Sequence, residues 1–160
     1  MQRTKRHPVN PWITNPFVAD LYLSALKNKR RILQRILETI LHTHLSCPVP
    51  SSLYLPHPYG IIVGGHTKLG DHVTLMQQVT LGGKDPWCTA GDLLNQFPTL
   101  EEGVYVGAGA KVLGSVVIGK WSIIGANAVI TKSVPAFSTV VGFNHLVQVA
   151  EGPPAFLPTS

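Results

Sequence analysis

Val63-Gly64-Gly65-His66-Thr67-Lys68-Leu69-Gly70-Asp71-His72-Val73-Thr74-Leu75-Met76-Gln77-Gln78-Val79-Thr80-Leu81-Gly82-Gly83 repeats every six residues. Val63, Leu69, Leu75 and Leu81 share one phase, and glycine follows three of them. Thr67, Val73 and Val79 lie four residues beyond the first three. The phase stops at Gly83 and resumes at Leu100, continuing through Val106, Val112, Ile118, Ile124 and Ile130. Val104, Ala110, Val116, Ser122, Ala128 and Val134 fill the second position. A helix repeats near 3.6 residues and a strand at 2, so neither yields this pattern. Short strands joined by turns and wound as a triangular prism do. Each aliphatic residue then points inward, each small residue lines a corner, and positions three hexads apart stack.

Residues 84–99 break the phase and read as a loop thrown out from one corner, either functional or a neutral surface insertion. Upstream, Phe17 to Leu26 suits a short helix, and Lys29 to Leu41 suits a better one. There Ile32, Leu33, Ile36, Leu37, Ile40 and Leu41 share a face, with Lys29, Arg30, Arg31 and Arg35 on the other side. Such a helix either caps the end of the prism, as expected here, or lies on a membrane surface. The expected division is an arm and helical cap over 1–50, an all-β prism over 51–142 and a proline-bearing tail over 143–160.

Hydrophobic residues make up 44% of the 160 and charged residues only 13%, so part of the surface is expected to be buried between subunits. The net charge of +5 would suit nucleic acid, a membrane surface or an anionic cofactor. Much of the basic charge precedes the prism, however, so charge alone argues only weakly for nucleic acid, and none is expected. Membrane contact is not expected because the helix is read as packing its apolar face on the prism. Cys47 and Cys88 form no metal-spaced motif, and no apolar run is long enough to span a bilayer. A soluble cytoplasmic protein is expected.

Just before the repeats stands Leu55-Pro56-His57-Pro58-Tyr59-Gly60. Each proline fixes its own φ near about −65° and pushes the residue before it out of the helical region. His57 is thus expected on stiff, extended backbone, as an aimed base requires. The alternative is a loop histidine that satisfies a neighbour's hydrogen bond.

Leu55 to Gly83, Gly107-Ala108-Gly109-Ala110-Lys111-Val112-Leu113-Gly114 and Ile124-Gly125-Ala126 together resemble the hexapeptide-repeat acyltransferases of the serine acetyltransferase type. The resemblance covers roughly residues 53–142. It implies a left-handed parallel β-helix, a homotrimer, and acetyl-CoA in the groove between adjacent prisms, with no metal. By it, His57 matches the catalytic histidine, and Gly83, Ala108 and Ala126 match positions lining the CoA channel. Histidine suits the base role, since its ordinary pKa lies near about 6.5. Backbone N–H groups around Gly82 and Gly83 are the expected donors to the oxyanion.

Departures from the family pattern bear on the acceptor. Pro56 stands where those enzymes have an aspartate, and Gln96-Phe97 stands where they have Arg-His before the loop proline. His42 falls near the aspartate that partners the histidine, and little of the family's N-terminal helical domain is expected within these 160 residues. A zwitterion needs charged partners at both ends. Leu55-Pro56-His57-Pro58 after a brief basic helix also resembles the short serine-acetyltransferase-like proteins of polysaccharide biosynthesis. A neutral hydroxylated acceptor such as a sugar is therefore expected, met by Pro56, Gln77, Gln96 and Phe97. Gln78, Asn95 and Trp87 could also serve it, and the glutamines could equally be plain solenoid surface. Phe143-Asn144-His145-Leu146 lacks the family's CoA-phosphate arginine, leaving Lys132 or Lys111. The alternatives are a true serine acetyltransferase, a zinc hydro-lyase of the carbonic anhydrase type using His57, His66 and His72, and a non-catalytic solenoid.

Overall fold

A computed structural model of the chain describes residues 10, 13–85, 87 and 95–150. Cys88 and most of the loop expected at 84–99 lie outside the described residues. Two helices come first, α1 (Phe17–Lys27) and α2 (Arg31–Leu41). Short strands β1–β14 follow and fall into three sheets. The first contains β1 (His44–Leu45), β3 (Ile62–Val63), β6 (Thr80–Gly82), β9 (Lys111–Leu113) and β12 (Val129–Ile130). The second contains β2 (Leu53–Tyr54), β5 (Val73–Leu75), β8 (Tyr105–Val106), β11 (Ile123–Ile124), β13 (Ser138–Val141) and β14 (His145–Val149). The third contains β4 (Lys68–Leu69), β7 (Thr99–Leu100) and β10 (Val117–Ile118). Every pairing is parallel except β13 with β14.

The registers reproduce the hexad count. Ile62 lies opposite Thr80 and Lys111 opposite Val129, each pair 18 apart, whereas Thr80 lies opposite Lys111, 31 apart, across the inserted loop. Val63, Leu75, Leu81, Leu100, Val106, Val112, Ile118, Ile124 and Ile130 are all buried, and Leu69 alone of that phase is half-buried. The small second-position residues are buried as well. Stacking leaves each aliphatic side chain in contact with those of the coils above and below, so the core is one continuous column.

The coil begins at β1, ahead of residue 51, because Leu45 stacks in register on Val63. Beyond 142, β14 folds back on β13 as an antiparallel strand, covering the edge of the second sheet. The helices close the opposite end. Tyr22 is buried there, its hydroxyl accepting from the Leu45 N–H (3.1 Å) and lying within reach of Glu38 and the Thr43 carbonyl. Burial, foremost, raises its pKa above the ordinary phenol value. Among the described residues no helix is long and apolar enough to cross a membrane.

Candidate active site

Three edges run along the prism where the sheets meet. On one, the turns entering the first sheet stack rung on rung. Gly60 N–H donates to Leu41 O, Gln78 to Tyr59, Gly109 to Gln77 and Asn127 to Ala108. His42, Gly60, Gln78, Gly109 and Asn127 all have positive φ, which the sharp corner requires. Tyr59, Gln77, Ala108 and Ala126 therefore follow one another along this edge. Ala126 is exposed and Ala108 half-buried, leaving a shallow small-residue track.

His57 stands at the head of that track because its turn is longer than those below. Eight residues separate Tyr54 from Ile62, against six from Thr74 to Thr80. The two extra residues make the Pro56–Gly60 turn bulge outward. The bulge is anchored on both sides. Asn15 accepts from the Leu55 N–H (2.6 Å) and donates to Leu53 O (3.0 Å), fixing the strand that enters it. Buried Thr43 donates to Pro58 O (2.8 Å) and accepts from the Ile61 N–H (3.1 Å), fixing the strand that leaves. Between them, Tyr59 N–H closes a tight turn onto His57 O (2.8 Å). The stiffness expected from the prolines is thus a turn pinned at both ends, with the His57 ring exposed.

A cavity of about 400 Å³ opens here, lined by Leu41, His42, His57, Tyr59, Gly60, Gln77 and Gln78. Gln77 Oε1 is buried with no hydrogen-bond partner among the described residues, so it can accept from a ligand. Tyr59, Asn15 and Thr43 are not among the expected site residues, and His42 entered only as the position near the family's partner aspartate. The stacking rule carried part of the missing signal, since 42, 60 and 78 are one coil apart.

The remaining expected residues lie elsewhere. Gly82, Gly83, Gln96, Phe97 and Lys132 belong to the turns leaving the first sheet, at the far end of β3 and β6 from His57. There Phe97 packs over Gly64 and Gly83 and meets the His66 ring edge-on, 5.5 Å between centroids. Gln96 accepts from the Asp85 N–H (3.1 Å), so its amide closes the base of the loop. Neither side chain reaches the His57 cavity of its own chain. Lys111 donates to the Gln78 and Gly109 carbonyls (2.8 and 2.9 Å) and is committed to the backbone. Lys132 is exposed. His57, His66 and His72 occupy three different edges, His72 stacking on Tyr54, so the chain by itself does not bring these three together. Asn95 and Trp87 are exposed on the loop.

Residues 97–132 match the family model of the bacterial transferase hexapeptide, six repeats. A serine acetyltransferase of Staphylococcus xylosus is 35% identical over 129 residues, which span 76% of this chain and 57% of that protein. Among solved structures, the Brucella abortus strain S19 serine acetyltransferase in complex with coenzyme A is 33% identical with a TM-score of 0.62, over 79% of this chain and 49% of that one. A serine acetyltransferase in complex with cysteine is 26% identical with a TM-score of 0.63, over 82% and 55%. The chain is a hexapeptide-repeat protein with the left-handed parallel β-helix fold. Within that class it is serine acetyltransferase-like, and it spans about half the length of the relatives it matches.

Proposed function

We propose that this chain is an acetyl-CoA-dependent O-acetyltransferase in which His57 is the general base. The observation that carries the reading is the pinned bulge, which sets an exposed histidine at the head of the Gln77–Ala108–Ala126 edge. Acetyl-CoA supplies an activated acyl group as a thioester. His57 takes the acceptor's hydroxyl proton as its oxygen attacks the thioester carbonyl, then returns that proton to the departing thiolate. Ala108 and Ala126 fit a pantetheine arm, since neither presents more than a methyl group along the track.

A single chain carries only half of such a site. The Gly82, Gly83, Gln96, Phe97 and Lys132 edge lies roughly 13 Å away, the length of a four-residue strand segment. A homotrimer, with the His57 edge of one subunit facing the loop edge of the next, would unite the two sets. The oxyanion donors around Gly82 and Gly83 and a phosphate contact from Lys132 belong to that reading.

The names of the relatives favour L-serine as acceptor over the sugar expected from Pro56 and Gln96. A neutral acceptor keeps one supporting observation: among the described residues no carboxylate or guanidinium lines the His57 cavity. Thiol release from acetyl-CoA, measured side by side with L-serine and a panel of sugars, decides between them. A kcat/KM for L-serine near ~10⁴ M⁻¹s⁻¹ or above, ordinary for an enzyme, is expected on the serine reading. A large preference for a sugar would reinstate the neutral acceptor, and no thiol release with any hydroxyl compound would defeat the transferase reading.

A further inference from the structure

Only half of the apolar face of α2 is used by the fold. At about 100° per residue, that face holds a leucine row and, beside it, an isoleucine row. Leu37 and Leu41 are buried and Leu33 packs against the core. Ile32, Ile36 and Ile40 remain 80%, 51% and 63% exposed. Arg35 and then Arg31 follow round the helix on the side of the isoleucine row away from the leucines, and Lys29 and Arg30 stand at its N-terminal end, all four exposed. Lys29, Arg30, Arg31, Ile32, Leu33 and Ile36 line a shallow depression. The carboxylate of this helix, Glu38, is turned away toward Gln34 (2.8 Å) and His44 (3.2 Å). Among the described residues no carboxylate pairs with any of the four cations. The helix therefore packs on one side and, among the described residues, presents the other uncovered.

We propose that this face seats the chain on an anionic lipid surface, α2 lying in the interfacial plane. The isoleucines would enter the acyl boundary while Lys29, Arg30, Arg31 and Arg35 meet lipid phosphates. The charge pattern selects this occupant over a second copy of the chain. Two copies joined through the same row would crowd both sets of cations around an apolar seam, where like charges repel. The inference sets aside the expectation of no membrane contact, which assumed that the whole apolar face is buried.

Co-sedimentation of the full chain with vesicles tests it. The chain should sediment with phosphatidylcholine–phosphatidylglycerol vesicles and not with phosphatidylcholine alone, and the binding should weaken as salt is raised. Ile36→Ser and the double variant Arg31→Gln/Arg35→Gln should each weaken it by about tenfold or more. Their circular dichroism should match wild type, since the altered side chains are exposed. Light scattering should give the same particle mass for wild type and Ile36→Ser. Absence of binding to anionic vesicles, or equal binding to neutral ones, overturns the proposal. So does a smaller particle for Ile36→Ser, which would put the isoleucine row between subunits instead.

Discussion

The two ends of the first sheet are built to opposite purposes. Where the chain leaves the sheet, Phe97 fills the corner over Gly64 and Gly83, and Gln96 ties the loop base to Asp85. Where the chain enters, two extra residues push His57 outward, and Gln77 keeps a buried oxygen without a partner among the described residues. One edge spends its side chains on internal contacts; the other holds its backbone tightly and leaves its side chains free. Chemistry belongs on the second kind, because a group already bonded within the fold must lose that bond before it serves a ligand.

His57→Ala tests this contrast most severely. The ring lies on the open edge, so the fold and CoA affinity should hold while acetyl transfer falls by ~10²–10⁴-fold. A variant retaining most of its turnover would move the base elsewhere.

Ala126→Trp places a large ring on the same track. Calorimetry with CoA should find affinity reduced by about tenfold or more, equivalent to ~1.4 kcal/mol, with melting unchanged. Undiminished CoA binding would mean that pantetheine does not follow the Ala108–Ala126 edge.

The closed edge should respond in stability. A methyl group at residue 64 would occupy the space of the Phe97 ring. Gly64→Ala should cost about 1–3 kcal/mol, the usual range for overpacking, with faster proteolysis next to Phe97 as the accompanying signature. Unchanged melting and proteolysis would mean that Phe97 is free to move off this corner.

Much of this architecture was legible in the hexad phase. Because a coil holds three hexads, the inward aliphatic positions and the small corner residues could be read before any coordinate, and they are the buried core. The helices were legible from their own period. What the sequence hid was which groups share an edge. Gln77 and Phe97 both read as candidates beside His57, yet Gln77 lies on its edge and Phe97 at the other end of the sheet. The missing facts are tertiary: a turn lengthened by two residues, and a loop whose aromatic folds back on glycines. Periodicity also reports that α2 is apolar on one face, not how much of that face a neighbour covers. For that reason Ile32, Ile36 and Ile40 read as core and stand exposed.

The smallest effect is expected from Gly82→Ala, and it sharpens the contrast within the closed edge itself. Gly64 and Gly82 sit one coil apart and both precede a corner. A methyl group at residue 82, however, would meet only Leu113 Cδ2 at 3.7 Å, an ordinary contact, and Gly82 is not among the glycines with positive φ. The substitution removes backbone freedom from the unfolded chain without straining the folded one. It should stabilise by about 0.4–1 kcal/mol, raising the melting temperature by a few degrees at most. Thermal denaturation of Gly64→Ala and Gly82→Ala in parallel then reads the corner directly. Opposite signs would tie the tightness of this edge to the seat of Phe97 over Gly64, whereas equal losses would mean that the strand itself demands glycine at both positions.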